Sequence, residues 1–457
     1  MGVWSSLYVS PAGWLVVPSA GVLVGSLIIR RRIVLPLLIA SLLLLGAAYG
    51  SQTQGSREAI RPLHDEIVSI TGRVKEDVST SGRNMISMQL DTLSFREQKI
   101  EGVVWVSTSK NTEILRGDHV TVKGKLGEGF GTFVGVMYRA TITDVTRPVP
   151  GDIGRVVRDG FASAVRTGIP EPQASLGVGY LTGQKSALPE DLAESLKIAG
   201  LTHIVVASGY NLTILVRLAR KLFIKHSKYL STLMSSVMII SFVAVTGLSP
   251  SMTRAGIVSG LSLGAWYYGR MFHPFVLLPL VAAITVAWQP SFVWGDLGWQ
   301  LSFAAFAGVM LVAPLFQRYF FGEKEPNTLR QILGETVAAH LVTIPIIVPA
   351  FGVVSHVAII ANLLIVPLVP LAMLLTFISG MVGLIAPMFN EFVSIPVTWL
   401  LTYMTSTATF LAELPWAQTE LQLTGWMVGC YALGLAGLCF YMQRKTGLRL
   451  RETNVVV

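Results

Sequence analysis

The chain has 457 residues, of which 52% are hydrophobic and 13% charged. Soluble globular chains carry roughly 25% charge, so the composition excludes an ordinary soluble domain and indicates a polytopic membrane protein. The formal net charge of +9, from 35 Lys and Arg against 26 Asp and Glu, is carried in alternate loops, which ties it to membrane orientation before nucleic-acid binding.

In chain order, residues 13–29 and 33–49 form two apolar runs of spanning length joined by Arg30, Arg31 and Arg32. No basic segment precedes the first run, so it reads as a span and not as a cleaved signal. Residues 1–50 are thus two transmembrane helices, with the N-terminus outside and the Arg triplet inside.

Residues 51–150 change character. The stretches IVSITGRVK, NMISMQLDTL, KIEGVVWVS, DHVTVKGKL and FVGVMYRATITDV alternate apolar and polar residues and are separated by Gly, Asn and Asp. Five such strands suit a small closed β-barrel of the OB-like kind, placed by the topology on the extracytoplasmic side. Arg116, Gly117 and Asp118 form a predicted tight turn before the fourth strand. Residues 65–147 hold eleven Lys and Arg against eleven Asp and Glu, so the domain is neutral. Phe95, Trp105, Phe130, Phe133 and Tyr138 are candidate base-stackers, with core packing as the ordinary reading.

Residues 151–200 suggest surface or cavity-plugging helices. In GRVVRDGFASAVRTGI, Arg155, Arg158 and Arg166 lie on the expected polar side. Two shorter helices follow, broken at Gly183 and Pro189, with Glu190 and Asp191 in the first turn of the second.

From residue 201 the spans resume, at about 201–217, 230–248, 251–269, 273–288, 297–317, 331–350, 355–378, 392–413 and 424–443. The segment 353–387 is too long for one straight span, and Pro367, Pro370 and Gly380 predict a discontinuous or re-entrant part. The count is about eleven spans. Basic residues at 217–228, 318–330 and 444–451 alternate with loops free of Lys and Arg. This assigns 201–445 to one transmembrane domain and 446–457 to a basic cytoplasmic tail. Cys430 and Cys439 sit on one predicted helix, too far apart to bridge at about 1.5 Å rise per residue, and imply neither a disulfide nor a metal site.

Polar groups fall inside these apolar runs. The densest set is THIVVASGYNLT, residues 202–213, with His203, Ser208, Gly209 and Asn211. Arg254 follows one turn into a span, then Asp296, Gln300 and Ser302, then His340, then Asn362. Each alone has an ordinary reading: a snorkelling Arg254, a helix cap at Asp296 or Asn362, an interhelical hydrogen bond at His340. Together, in a bundle with Gly- and Pro-broken helices, they suggest the lining of a watery path. Nucleotide-binding and zinc motifs are absent from the sequence, no acid lies near in sequence to orient His203 toward Ser208, and no cofactor or metal is expected. The chain is expected not to be an enzyme.

The run GYLTGQKSALPEDLAESLKIAGLTHIVVASGYNLTILV, followed in order by PSMTRAGI, DLGWQLSF and ANLLIVPLVP, resembles the ComEC-type competence (DNA internalisation) channel family. The resemblance covers about residues 15–445, and its ordered set of pieces is more specific than any one of them. It implies an inner-membrane channel that imports single-stranded DNA during natural transformation. On motif matching, His203, Ser208, Gly209, Arg254, Asp296, Gln300, Ser302 and Asn362 are expected around that channel. Two departures stand out. Asn211 occupies the place of a second family histidine, which keeps hydrogen bonding but removes a titratable charge. No HxHxDH-type motif of the metallo-β-lactamase-like domain of many relatives appears, so nuclease activity is not expected here. The implied partners are single-stranded DNA, membrane lipid, an extracytoplasmic DNA receptor, a cytoplasmic helicase or translocase motor, and a separate nuclease. The alternatives are a secondary transporter of a small polar or anionic solute and a membrane-anchored scaffold. The implied location is the cell membrane, multi-pass, with the C-terminus cytoplasmic.

Overall fold

The computed structural model describes residues 60–80, 85–95, 98–110, 112–149, 151–184, 188–205, 208–247, 249–270, 273–322 and 327–448, together with Gly46. The two predicted N-terminal spans, the Arg30–Arg32 triplet and most of the predicted tail lie outside the described residues. The chain divides into two compact units, Met1–Asp152 with Ala283–Leu297, and Ile153–Ala282 with Gly298–Val457.

The first unit contains a closed five-stranded barrel. Its strands are β1 (Ile67–Val74), β3 (Met85–Phe95), β5 (Val104–Ser109), β6 (His119–Glu128) and β7 (Gly135–Thr146). Two short strands, β2 (Ser79–Thr80) and β4 (Gln98–Ile100), attach to β3. The ring runs β1-β3-β5-β7-β6 and returns to β1. Four of its pairings are antiparallel, and β5 with β7 is parallel. Alternation in the sequence supplies the core: Val68 and Ile70 point inward from β1, Val104 and Val106 from β5, and Val120, Val122 and Leu126 from β6. The predicted Arg116–Asp118 turn is present, with Gly117 at φ +92°. Asp118, buried, accepts from Leu115 N at 3.0 Å and from Arg147 Nη2 at 3.1 Å. That hydrogen bond from its guanidinium to Asp118 raises the Arg147 pKa above its ordinary value.

The second unit is helical. Helix α1 (Ile153–Arg166), α2 (Gln173–Thr182) and α3 (Glu190–Ile198) precede a short turn of helix, α4 (Thr202–Val205). Then come α5 (Gly209–Phe223), α6 (Lys228–Thr246) and α7 (Pro250–Tyr267). The chain continues through α8 (Pro274–Trp288), whose last residues belong with α9 (Phe292–Gly295) to the first unit, and then through α10 (Leu297–Ala307). A π-turn at Gly308–Val312 joins α10 to α11 (Ala313–Phe321). Pro314, at the start of α11, has no N–H to continue the α-helical ladder, which accounts for the π-turn. Beyond lie α12 (Thr328–Phe351), α13 (Ala358–Ile365), α14 (Val369–Ile385), α15 (Pro387–Ala412) and α16 (Gly425–Thr446). Strands Val353–Ser355 and Gln418–Glu420 pair as a small ribbon.

Among the described residues, five helices are long and apolar enough to cross a membrane: Lys228–Thr246, Leu297–Phe321, Leu329–Phe351, Ala358–Ile385 and Gly425–Thr446. They coincide with five of the predicted spans. The discontinuity predicted in 353–387 is a single 3-10 turn at Val366–Leu368. Gly380 does not break the helix. It lies inside α14, against the Phe161 ring of α1.

Helix α1 is fastened to α14 and α15 by a buried polar clasp. Asn390, fully buried, accepts from Ser379 Oγ at 2.9 Å. It donates to Ala164 O at 3.0 Å and to Thr167 Oγ1 at 2.8 Å. Ser394 Oγ donates to Gly168 O at 2.6 Å. A Cβ at Gly383 would strike Ala164 O and Asn390 Nδ2, so only glycine admits the approach. Asn390→Ala is expected to lower stability by about 2–3 kcal/mol, because it strands several buried partners; a detergent-solubilised thermal melt indistinguishable from the wild type would contradict this.

Candidate functional site

The predicted polar segment 202–213 folds as a helix break. Gly200, at φ +70°, packs against Ala358, where a Cβ would approach to 2.6 Å. Helix α4 follows, and α5 starts anew at Gly209. Ser208 caps α5, its Oγ accepting from Asn211 N at 3.4 Å and donating to Asn211 Oδ1 at 3.3 Å. Asn211 is fully buried, and its Nδ2 donates to Tyr180 O of α2 at 2.9 Å. Asn211 therefore ties α5 to α2.

Arg254 approaches this helix start from α7. A Cβ built on Gly209 would lie 3.1 Å from Arg254 Nη2 and 3.2 Å from Ala255 Cβ. The guanidinium carbon lies 5.1 Å from the centroid of Phe306 and 5.9 Å from that of Phe303, both on α10. Its Nε is shielded from solvent and has no hydrogen-bond partner. Arg254 therefore rests on aromatic faces. Gln300 and Ser302 belong to the same α10.

Of the predicted histidines, His203 lies on the short helix α4 and His340 within α12. Tyr210 lies within the electrostatic reach of Glu335 and Arg217. Gln331 Nε2 holds Glu335 Oε1 at 2.8 Å. The structure thus gathers Ser208, Gly209, Asn211 and Arg254 at the start of α5.

Other predicted residues lie elsewhere. Asn362, 5% exposed, donates to Ala358 O of its own helix at 2.8 Å and is internally satisfied. Asp296 falls in the first compact unit, at the C-terminal end of α9. The arginines of α1 correct the sequence reading. Arg155 and Arg158 are 7% and 2% exposed, while Ile153, Val156 and Val157 face outward at 66%, 55% and 58%. The N-terminal part of this helix thus presents apolar side chains outward, while Ala162, Ala164 and Val165 of its C-terminal half are buried. Arg158 Nε bonds Asp159 Oδ1 at 3.0 Å, and Arg166 Nε bonds Glu171 Oε1 at 2.8 Å.

On the barrel, four of the predicted stackers gather, two of them exposed. Trp105 of β5 meets Tyr138 of β7 edge-on at 5.4 Å and Phe130 at 6.5 Å, and Phe130 meets Phe133 at 5.3 Å. Phe130 and Tyr138 are 52% and 64% exposed. They stand outside the barrel core, against the ordinary reading. Among the described residues no cluster of His, Cys, Asp or Glu could hold a metal ion.

Sequence reasoning did not single out Phe303, Phe306, Tyr180 or Tyr210. Phe303 and Phe306 follow Gln300 at a helical spacing of three, the one signal that places them on a shared face. Asn211→Asp keeps the side-chain shape but cannot donate to Tyr180 O. It is expected to cost roughly 2–3 kcal/mol, read as a lowered melting temperature, and an unchanged melt would remove Asn211 as a strut.

A family model described as competence protein matches residues 180–445. The chain is also similar to ComE operon protein 3 of Bacillus subtilis (strain 168), 21% identical over 249 residues, covering 52% of this chain and 31% of that protein. The chain thus spans less than a third of the length of that curated relative. No solved structure matches it. The matched segment takes in the α5 helix start, Arg254, the α10 aromatics and His340, and more than half of the chain: the chain belongs to the competence protein family.

Proposed function

We propose that the chain conducts one strand of DNA across the cell membrane during natural transformation. The observation that carries this reading is the cation Arg254, shielded at Nε and resting on aromatic rings beside a broken helix start, in a competence-family chain with membrane-length helices. Hydrocarbon excludes the phosphate charge of DNA, so a strand needs a protein-lined path with cations placed along it. Ionisable side chains within such bundles mark substrate paths more often than lipid contacts.

The further reading keeps about eleven spans, with the barrel extracytoplasmic and the C-terminus inside. The barrel ring β1-β3-β5-β7-β6, with its single parallel pair, supports an OB-like fold. Its exposed aromatics supply sequence-tolerant faces for bases. The chain performs no catalysis in this reading. Movement comes from a cytoplasmic helicase or translocase, DNA arrives from an extracytoplasmic receptor, and any strand degradation is the work of a separate nuclease.

The test is uptake of labelled duplex DNA into cells with and without the gene, with surface binding scored separately. Cytoplasmic entry is expected to vanish while surface binding persists; unchanged entry would make solute transport the leading idea. Arg254→Ala and His203→Ala are expected to abolish entry while membrane insertion continues. In the purified full chain, Trp105→Ala is expected to weaken single-strand binding by about 1–3 kcal/mol; equal affinity in a fluorescence titration would leave the barrel aromatics without that role.

A further inference from the structure

Helix α5 is fifteen residues long, and its first-turn amides have no partner inside the helix. The Ser208 cap takes the amide of Asn211. Arg254 Nη2 arrives at this helix start, 3.1 Å from the position a Gly209 Cβ would fill. A side chain there would crowd the guanidinium and Ala255, and the glycine leaves the approach open. Independently, Arg254 Nε is solvent-shielded and unpartnered, and Arg254 makes no ion pair among the described residues. An unpaired cation in low dielectric is costly, and aromatic faces offset only part of that cost.

A positive helix end beside an arginine fork that makes no ion pair among the described residues has the chemistry of an oxyanion site. Cap, glycine, arginine and rings come from three helices, α5, α7 and α10, so the site is built by tertiary packing.

We infer that the α5 helix start and Arg254 form a seat for one phosphate group, taken in turn by phosphodiesters of the passing strand. This rests on the strand-conducting reading and adds the contact at which the strand's backbone is held. Binding is through phosphate and carries no base preference. One seat releases about one condensed counterion, which sets its salt dependence.

The test uses the full chain in phosphatidylcholine nanodiscs and a fluorescein-labelled oligothymidylate, titrated by anisotropy across a salt series. Arg254→Gln is expected to weaken binding about tenfold and to reduce the slope of log affinity against log salt by about 0.7. Arg254→Lys is expected not to restore binding, because an ammonium lacks the planar fork. Gly209→Ala is expected to weaken binding as Arg254→Gln does. A methylphosphonate oligonucleotide, which has no backbone charge, is expected to bind wild type and Arg254→Gln alike. The wild type supplies a readout free of any folding defect: phenylglyoxal modification of Arg254, followed by peptide mass spectrometry, is expected to be suppressed by the oligothymidylate.

Wild-type binding with unchanged affinity and slope in Arg254→Gln and Gly209→Ala would overturn the seat, as would equal Arg254 modification with and without the oligonucleotide. Two further results overturn the strand as occupant. One is protection by inorganic phosphate equal to that by the oligonucleotide at matched phosphate. The other is protection only in nanodiscs containing phosphatidylglycerol, which would mean a lipid headgroup. If the wild type itself fails to bind the oligothymidylate, the strand-conducting reading fails, and the seat with it.

Discussion

A polar group in an apolar bundle must find its partner within the protein. That constraint organises the helical unit. Asn390 meets it by joining Ser379, Ala164 and Thr167 across three segments. Asn211 meets it by reaching Tyr180 O, and Asn362 by turning back on its own helix. These side chains settle how α1, α2, α5, α14 and α15 pack, and glycines at 168 and 383 let the backbones come close enough for the bonds to form.

Against that background Arg254 differs in kind. Asn211 and Asn390 were both polar residues in apolar sequence, yet the structure makes each a strut. Arg254 instead leaves its Nε unpartnered and leans on Phe306 and Phe303. The difference is chemical: a neutral amide is satisfied by one or two carbonyls, whereas a guanidinium brings five donors and a full charge. The contrast sets Arg254 apart from the packing residues without appeal to sequence position.

Much of the barrel was legible from alternation alone, since a period of two specifies which residues face the core. The five predicted strands correspond to β1, β3, β5, β6 and β7, and the turn at Gly117 falls where glycine and aspartate announced it. Alternation does not reveal which outward positions of different strands become neighbours. Trp105 and Tyr138 meet because β5 and β7 pair in parallel, a partnership set by ring closure. In the same way, the three arginines of α1 read as a polar face in sequence, yet the helix buries two of them and presents Ile153, Val156 and Val157 outward. A helical wheel gives two faces and no instruction about which meets the bundle.

The sequence by itself determined the class of the protein, the five spans recovered as helices, the strand-rich segment and the polar stretch at 202–213. Each of these is a local property of composition or period, and hydropathy and alternation act through near neighbours in the chain. Tertiary structure alone decided that Arg254 meets Gly209, that Asn211 is a strut and that Asp296 belongs to the other compact unit. Those outcomes depend on helix packing between residues tens to hundreds of positions apart, and side-chain volume, close glycine contacts and hydrogen-bond satisfaction settle that packing only once the whole chain has folded.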